Sequence, residues 1–389
     1  MTTGIKNRAA VAGVGATAFA EHWDRDTYSL LAEASHEAIE DAGLTLGDVE
    51  AAWVGINYPF TGVAGSTVAD ALRIYGRPIT RVENYCASGM DAFRNACFAV
   101  AAGVYDTVLA CGVEKITDQG SAGLPMLGRA DPVLERPSAP GLFALAATRA
   151  FAEWGWTERD IAEVAVKNHA NGVAHPKAHF RQEITIEQAL AAPEISSPLR
   201  RFDCCAVSDG AAAVVITRPE VARQLPHKDN LVLVQANQLA VFTAHPHFDP
   251  GFDYLGFPST REAARRAYEE AGISDPASEV DLAECHDCFT ITELLNTQDL
   301  GFCEQGDAAR FVREGHTQVG GTVAVNASGG LKCFGHPIGA TGCRMIYEVT
   351  RQLQGRALGR QVPDARIGVA HNLGGPGAVA AVTVLARDR

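Results

Sequence analysis

The sequence carries its most reactive side chains in four short loops, at residues 84–88, 284–290, 326–342 and 370–377. The first loop contains Cys86 and no histidine, and each of the other three contains a histidine. A thiol beside an imidazole is a common arrangement for nucleophilic catalysis. Each histidine taken alone is equally well explained as a buried residue with satisfied hydrogen bonds. Three such loops together with the cysteine loop indicate a shared reactive site.

Cys86 follows a short apolar stretch at residues 79–82 and precedes an apolar repeat of helical spacing, at Met90, Phe93, Cys97 and Val100. This pattern predicts a strand that turns directly into a buried helix, with Cys86 at the corner. The first N–H groups of a helix lack intrahelical partners and carry partial positive charge, so we expect the corner to favour a thiolate. Cys86 is therefore a candidate nucleophile. The alternative is a small core residue, the usual setting of a free cysteine.

Strand and helix patterns alternate along both ends of the chain, which predicts an α/β fold with a parallel, helix-covered sheet. Between residues 118 and 199 the pattern breaks. Glycine and proline are frequent there, at 123–125 and 136–140, and separate helical runs at 142–154 and 157–172. Long irregular insertions of this kind are often functional. We therefore expect an inserted loop domain at 118–199.

The second part of the chain repeats the first. Residues 262–272 match residues 33–43 at six of eleven positions, and residues 377–384 resemble residues 210–217. One α/β unit has been used twice, with the insertion inside the first copy. The predicted domains are an N-terminal half at 1–117 and 200–225, the insertion, and a C-terminal half at 230–389. Two such halves packed together would bring their strand-end loops to one site.

Composition limits the possible functions. The net charge of −13 argues against a nucleic-acid partner. The start of the chain has no apolar signal core, and no stretch reaches about 18 apolar residues, so we expect neither export nor a membrane span. Ten cysteines in 389 residues are then reduced thiols of a cytoplasmic protein. Cys285 and Cys288 form a single C-x-x-C, which is weak evidence for zinc, and we expect no metal site.

The four loops together resemble those of the thiolase superfamily, and within it the sterol-carrier-protein (SCP-x) type. The residues around Cys86 resemble the N-x-C-A-S-G nucleophile loop, and residues 335–342, GHPIGATG, resemble the histidine loop. Residues 286–289, HDCF, have the form that marks the sterol-carrier type. The resemblance covers nearly the whole chain. It implies a thiolase fold of two repeated βαβαβαββ halves in five α-β-α-β-α layers, with a loop domain inserted in the first half.

The resemblance also implies roles for single residues. Cys86 becomes the nucleophile, and His336, with His286, becomes an activating and oxyanion-binding histidine. The second catalytic cysteine of ordinary thiolases is replaced by His371, and Cys288 is the implied substitute for it. Glycines of the last loop, Gly374 and Gly375, are expected to approach the substrate. The chain ends without the lipid-carrier domain or peroxisomal signal found in some relatives, so we expect a stand-alone enzyme.

The implied activity is acyl-CoA C-acyltransfer: thiolytic cleavage of a 3-ketoacyl-CoA, or the reverse Claisen condensation, through an acyl-cysteine. Coenzyme A is then a substrate, and no cofactor is needed. Two alternatives stay open. One is a thiolase-like retro-aldolase acting on β-hydroxyacyl-CoA side chains, and the other is a non-catalytic subunit of a complex with an OB-fold (DUF35-like) partner.

Two further expectations concern ligands and assembly. Lys177, His179 and Arg181 in the insertion are candidate contacts for the phosphates of coenzyme A, although a solvated basic surface explains each of them equally well. A homodimer or tetramer is implied by the family resemblance alone.

Overall fold

Strands and helices alternate along both ends of the chain as predicted, in a computed structural model that describes residues 4–120, 138–246 and 249–388. The predicted glycine and proline turn at 123–125 lies outside the described residues. The strands are β1 (Ala10–Ala16), β2 (Ala51–Gly55), β3 (Ile79–Val82), β4 (Thr107–Glu114), β5 (Glu194–Ser196), β6 (Leu199–Arg200), β7 (Gly210–Thr217), β8 (Val232–Val241), β9 (Leu282–Cys285), β10 (Ala324–Val325), β11 (Ile367–Gly374) and β12 (Val379–Arg387).

The helices connect these strands, and three of them lie within the insertion. They are α1 (Thr27–Asp41), α2 (Ser66–Leu72), α3 (Ser88–Ala101), α4 (Ala139–Trp154), α5 (Glu158–Gly172), α6 (Ile186–Leu190), α7 (Pro219–Ala222), α8 (Pro258–Ala271), α9 (Pro276–Glu279), α10 (Thr290–Asp299), α11 (Ala308–Arg313), α12 (Gly330–Phe334) and α13 (Ile338–Leu353).

The large sheet shows the duplication directly. Its strand order is β10-β9-β11-β12-β8-β1-β7-β4-β2-β3, so the two halves have the same order when each is read outward from the β8–β1 junction. The halves join where β1 pairs antiparallel with β8. The repeat predicted from the sequence is confirmed, but the expectation of a parallel sheet is wrong for β7 and β12. Each of these strands runs antiparallel to both neighbours. In the second half a short turn reverses the chain between β11 and β12, which only antiparallel strands allow.

Helices cover the sheet in layers, with α3 and α13 packed together in the middle. On the outer sides, α1 packs on β1 and β7, and α8 packs on β8 and β12. The two central helices approach closely, because a Cβ added at Gly89 would lie 2.4 Å from the Gly339 carbonyl oxygen. Glycine is required where backbones come this near. Among the helices of the described residues, none is long and apolar enough to cross a membrane.

The described part of the insertion contains α4, α5, α6 and the β5–β6 hairpin. Helix α5 packs against α12 and α10, the two helices that flank the predicted histidine loops. The insertion therefore supports the reactive loops from one side. The domain boundaries given above stay a prediction.

Candidate active site

Cys86 lies at a tight corner between β3 and α3. The preceding residue, Tyr85, has a positive φ of 51°, which is uncommon for a bulky residue and typical of strained functional turns. Three hydrogen bonds hold the corner: Ala87 N donates to Asn84 O (3.1 Å), Ser88 N donates to Tyr85 O (3.0 Å), and Asn84 N donates to Ser88 Oγ (2.9 Å). The predicted strand-to-helix corner is confirmed, and it leaves the thiol half-buried.

His336 lies two residues before α13 and is held in one tautomer. Its Nδ1 is 2.7 Å from Thr341 Oγ1, whose hydroxyl hydrogen is donated to Pro337 O at 2.9 Å. Because that hydroxyl already donates elsewhere, its oxygen accepts a hydrogen bond from Nδ1–H. The Nε2 atom therefore carries a free lone pair, and it is buried with no hydrogen-bond partner among the described residues. His336 is set up to accept a proton.

His286 follows β9 and has the opposite tautomer. Its Nδ1 lies 3.0 Å from the side-chain amide nitrogen of Asn372, which can only donate. Nδ1 is therefore the acceptor, and Nε2 carries the hydrogen. The two imidazole rings lie edge to face, with centroids 5.1 Å apart. One histidine thus offers a base and the other a hydrogen-bond donor.

These groups converge. One nitrogen of each histidine and the Cys86 sulfur all lie within 4.8 Å of one another. The backbone N–H groups of Gly375 and of Cys86 itself both donate toward this sulfur. A Cβ added at Gly374 would lie 2.7 Å from Asn84 O, so this glycine lets the last loop approach the corner. The four loops predicted from the sequence therefore meet, as the repeat implied.

The electrostatic setting of the thiol corrects the prediction of a favoured thiolate. Burial raises the pKa of the Cys86 thiol to about 12, although hydrogen bonds from Gly375 N and Cys86 N oppose the rise. Burial, with the Arg344 charge, lowers the pKa of His336 to about 3. Burial likewise holds the pKa of His286 well below its usual value. The resting site is therefore a neutral thiol beside two neutral imidazoles. The backbone N–H group of Cys86, just before α3, does lower the pKa of the Cys86 thiol, but burial raises it by more.

Cys288 lies in the loop between β9 and α10, on the same side as Cys86. Its Sγ is 4.0 Å from Thr292 Oγ1, and its carbonyl accepts from Cys205 N at 2.9 Å. Burial raises the pKa of the Cys288 thiol well above the ordinary value, and the neighbouring Cys205 and Cys86 sulfurs add to the rise. Cys288 is thus a protonated thiol near the nucleophile. Cys205 was not among the site residues predicted from the sequence.

Asp287 anchors the loop that carries His286 and Cys288. Its carboxylate accepts from Leu331 N (2.6 Å), Lys332 N (3.2 Å) and the Asn168 amide (2.8 Å). These contacts tie the loop to α12 and to α5 of the insertion. Asp287 therefore acts as a positioning residue for this loop. The HDCF motif contains it, but no spacing rule indicates where its side chain points.

His371 lies in β11 and does not join the group around Cys86. Its Nε2 is 3.0 Å from Thr260 Oγ1 on α8, and its Nδ1 is 3.4 Å from His286 N. The next residue, Asn372, has its side chain on the other face of the strand, as successive strand residues must. His371 therefore supports the backbone of His286, while Asn372 sets the tautomer of that residue.

The three candidate contacts for coenzyme A lie in the insertion. The Lys177 ammonium binds both carboxylate oxygens of Glu37, at 2.7 and 2.6 Å, and also contacts Ala16 O. His179 Nδ1 is 2.9 Å from Ser208 Oγ. Arg181 is exposed. Lys177 is thus engaged by a carboxylate, which disfavours it as a phosphate ligand, and Arg181 has the most accessible charge of the three.

A half-buried thiol, an imidazole base and two backbone donors on a duplicated α/β scaffold are the parts of a cysteine-dependent acyltransferase. Family comparison narrows the class. The thiolase N-terminal domain model matches residues 8–220, and the thiolase C-terminal domain-like model matches residues 240–387. The chain belongs to the thiolase family.

Similarity to named relatives extends over the whole chain. The acetyl-CoA acetyltransferase of Methanothermobacter thermautotrophicus is 40% identical, over 97% of this chain and 99% of its own length. Sterol carrier protein 2 of Homo sapiens is 33% identical, over 96% of this chain and 71% of its own. A solved structure titled Ltp2-ChsH2(DUF35) aldolase matches with a TM-score of 0.86 and 27% identity, over 99% of both chains. The protein is an acyltransferase of the thiolase type.

Proposed function

We propose that the protein transfers acyl groups to and from coenzyme A through a thioester on Cys86. The observation that supports this step is the free lone pair of His336 Nε2 close to the neutral thiol. As the sulfur attacks the thioester carbon of an acyl-CoA, its proton passes to His336 Nε2. The proton then leaves with the coenzyme A thiolate as that group departs, and Cys86 keeps the acyl group.

Each step creates a negative oxygen that needs donors. The backbone N–H groups of Cys86 and Gly375 would bind the oxyanion of the tetrahedral intermediate, in which the thioester carbon is bonded to the Cys86 sulfur. The enolate oxygen of the second acyl-CoA would be held by His286 Nε2–H, and in thiolysis also by His336 while it carries the proton taken from Cys86. Each well-placed donor of this kind is worth on the order of 3 kcal/mol in the transition state.

The carbon–carbon step needs an acid or base beside the acyl-enzyme, and we assign it to Cys288. In thiolysis, the Cys288 thiol gives its proton to the α-carbon that leaves as an enolate. In condensation, the Cys288 thiol first releases its proton to solvent, and the resulting thiolate removes the α-proton to form the enolate and regenerate the thiol. The raised pKa of this thiol keeps it in the donating form. No metal or redox cofactor takes part in this scheme.

The substrates we propose are acetyl-CoA and short 3-ketoacyl-CoA esters. Support comes from the name of the Methanothermobacter relative, acetyl-CoA acetyltransferase. We further propose a cytoplasmic protein of acyl-CoA and lipid metabolism that forms a homodimer or tetramer. The DUF35 protein named with the aldolase structure suggests that an OB-fold partner of that kind also binds this chain.

The test is to trap the acyl-enzyme. The wild-type protein, incubated with acetyl-CoA, should gain the mass of one acetyl group, which peptide mapping places on Cys86. Cys86→Ala should show no adduct, and Cys303→Ala, which removes a half-buried thiol elsewhere, should behave as wild type. An adduct that survives in Cys86→Ala contradicts the proposal.

The aldolase alternative is favoured by one observation, the aldolase title of the matched structure. It predicts aldehyde or ketone release from a β-hydroxyacyl-CoA, without free coenzyme A and without Cys86. Efficient release by Cys86→Ala would establish it. A thiolase should instead cleave 3-ketoacyl-CoA only when free coenzyme A is present.

A further inference from the structure

Cys86, His286 and His336 bring one sulfur and two imidazole nitrogens within 4.8 Å of one another. A tetrahedral zinc site has Zn–S distances of about 2.3 Å and Zn–N distances of about 2.0–2.1 Å, so its ligand atoms lie roughly 3.3–3.7 Å apart. The separations in the trio therefore exceed those of a zinc site by at most roughly 1–1.5 Å, a gap that side-chain rotations can close. Three protein ligands with one open position is the pattern of an accessible zinc site.

A second observation points to a ligand independently. His336 Nε2 is aimed into this space, is almost fully buried, and has no hydrogen-bond partner in the part of the chain that the structure describes. Its Nδ1 is fixed by Thr341 Oγ1, so the ring is oriented in advance. Metal-bound histidines typically have their second nitrogen held in this way.

We propose that Cys86, His286 and His336 form a binding site for a borderline or soft divalent cation such as Zn²⁺, and that the bound ion inhibits the enzyme. On binding, the Cys86 thiol releases its proton to solvent and the sulfur becomes an anionic ligand. Both histidines bind through neutral nitrogens. The ion occupies the sulfur lone pair and the base, so acylation of Cys86 stops until the ion is removed. The inhibition rests on the proposed function, but the binding does not.

One local change is required at His286. Its Nε2 carries the hydrogen in this structure, so metal binding moves that hydrogen to Nδ1. The Asn372 amide must then turn to present its oxygen, which is buried and accepts no hydrogen bond from any residue within 4–120, 138–246 and 249–388. Asn372→Asp would present an acceptor permanently. This variant should therefore bind Zn²⁺ about tenfold more tightly than wild type, while an ordinary disruption of packing would weaken binding.

Cobalt tests the site without any substrate. Wild-type protein titrated with Co²⁺ should bind one equivalent and show a sulfur-to-cobalt charge-transfer band with the intense visible bands of four-coordinate cobalt. Cys86→Ala should lose the charge-transfer band, and His336→Gln should bind about 100-fold more weakly. Cys303→Ser and His316→Gln each remove a matched ligand type elsewhere and should bind as wild type. Zn²⁺ should displace the cobalt.

Three metal-binding results would overturn the proposal. Absence of a charge-transfer band in wild type at millimolar Co²⁺ excludes the site, and a band that persists in Cys86→Ala places it elsewhere. Should Cys86→Ala fail to fold, wild type alkylated at Cys86 replaces it, and binding to that adduct is equally fatal. Finally, Zn²⁺ should inhibit acyl-enzyme formation reversibly with EDTA. A protein that binds cobalt but forms no acyl-enzyme refutes the proposed function and leaves the metal site standing.

Discussion

The two halves of the chain share one strand order but use their strand ends differently. Cys86 lies two residues before α3, and His336 lies two residues before α13, so nucleophile and base occupy equivalent positions in the two copies. The thiol is half-buried at the end of a partly exposed strand, β3. The His336 imidazole is fully buried and follows β10 and α12 in the chain. The duplicated fold brings both helix starts together, and the first half presents the reactive atom while the second controls its proton.

The fourth and fifth strands of each half differ even more. In the first half the chain leaves β4, passes through the insertion, and returns at β7. In the second half β11 and β12 are joined by a short turn that supplies Gly375 N–H to the Cys86 sulfur. One connection has become a support for the reactive loops, and the other has become part of the site.

Of all the substitutions considered, removal of the base His336 should slow the reaction of Cys86 most. His336→Ala should slow acylation of Cys86 by about 10³-fold, because it removes the acceptor for the proton of the Cys86 thiol. Stopped-flow release of coenzyme A in a single turnover measures this rate. His316→Gln, an exposed histidine, is the control and should be unchanged. A loss below tenfold would mean that Cys86 does not use His336.

Two substitutions in the second half should distinguish the carbon–carbon step from acylation. Cys288→Ala should keep acylation of Cys86 but lower deuterium exchange at the acetyl-CoA methyl group by about 10²–10³-fold. His371→Ala should lose much less, since its ring contacts Thr260 and the His286 backbone and not the group around Cys86. If exchange survives in Cys288→Ala and vanishes in His371→Ala, the histidine is the base and the assignment is wrong.

The sequence was sufficient to predict the repeat, the strand-to-helix corner and the convergence of four loops. It also contained an unused signal for the roles of His371 and Asn372. Two neighbouring residues of a strand point to opposite faces, so only one of them can reach the site. The match of Cys86-x-x-Gly89 with His336-x-x-Gly339 was a second such signal.

Other features could not be predicted from the sequence. The pKa of Cys86 depends on how completely the surrounding loops exclude water, which is a property of tertiary packing. The engagement of Lys177 by Glu37 joins residues far apart in the chain. The tautomers of the two histidines depend on partners contributed by other elements. Local patterns identify such residues but do not say which atoms face each other.

A smaller effect on the acylation rate is expected from a substitution at Gly374, where the last loop contacts the Cys86 loop. Gly374→Ala would place a Cβ 2.7 Å from Asn84 O and force the Gly375 N–H away from the Cys86 sulfur. We expect acylation to slow by about 10–100-fold with the fold retained, since loss of one oxyanion donor has an effect of up to about 10²–10³-fold. Gly47→Ala, where the nearest atom is Thr45 Oγ1 at 3.2 Å, is the control. Equal activity of both variants would remove Gly375 from the site.

The smallest expected effect is a near absence of pH dependence. The pKa of His336 is lowered to about 3 by burial, and that of Cys86 is raised to about 12 by burial, so the neutral pair is present at every pH between. The single-turnover acylation rate should therefore change by less than about twofold from pH 5 to pH 9. An ordinary imidazole with a pKa near 6.5 would lose about 30-fold at pH 5, because only a few per cent remains unprotonated. A rate that falls in this way would show that His336 titrates as an ordinary imidazole. A rate that rises tenfold per pH unit toward alkaline pH would show that Cys86 reacts as a free thiolate, without the neutral base His336.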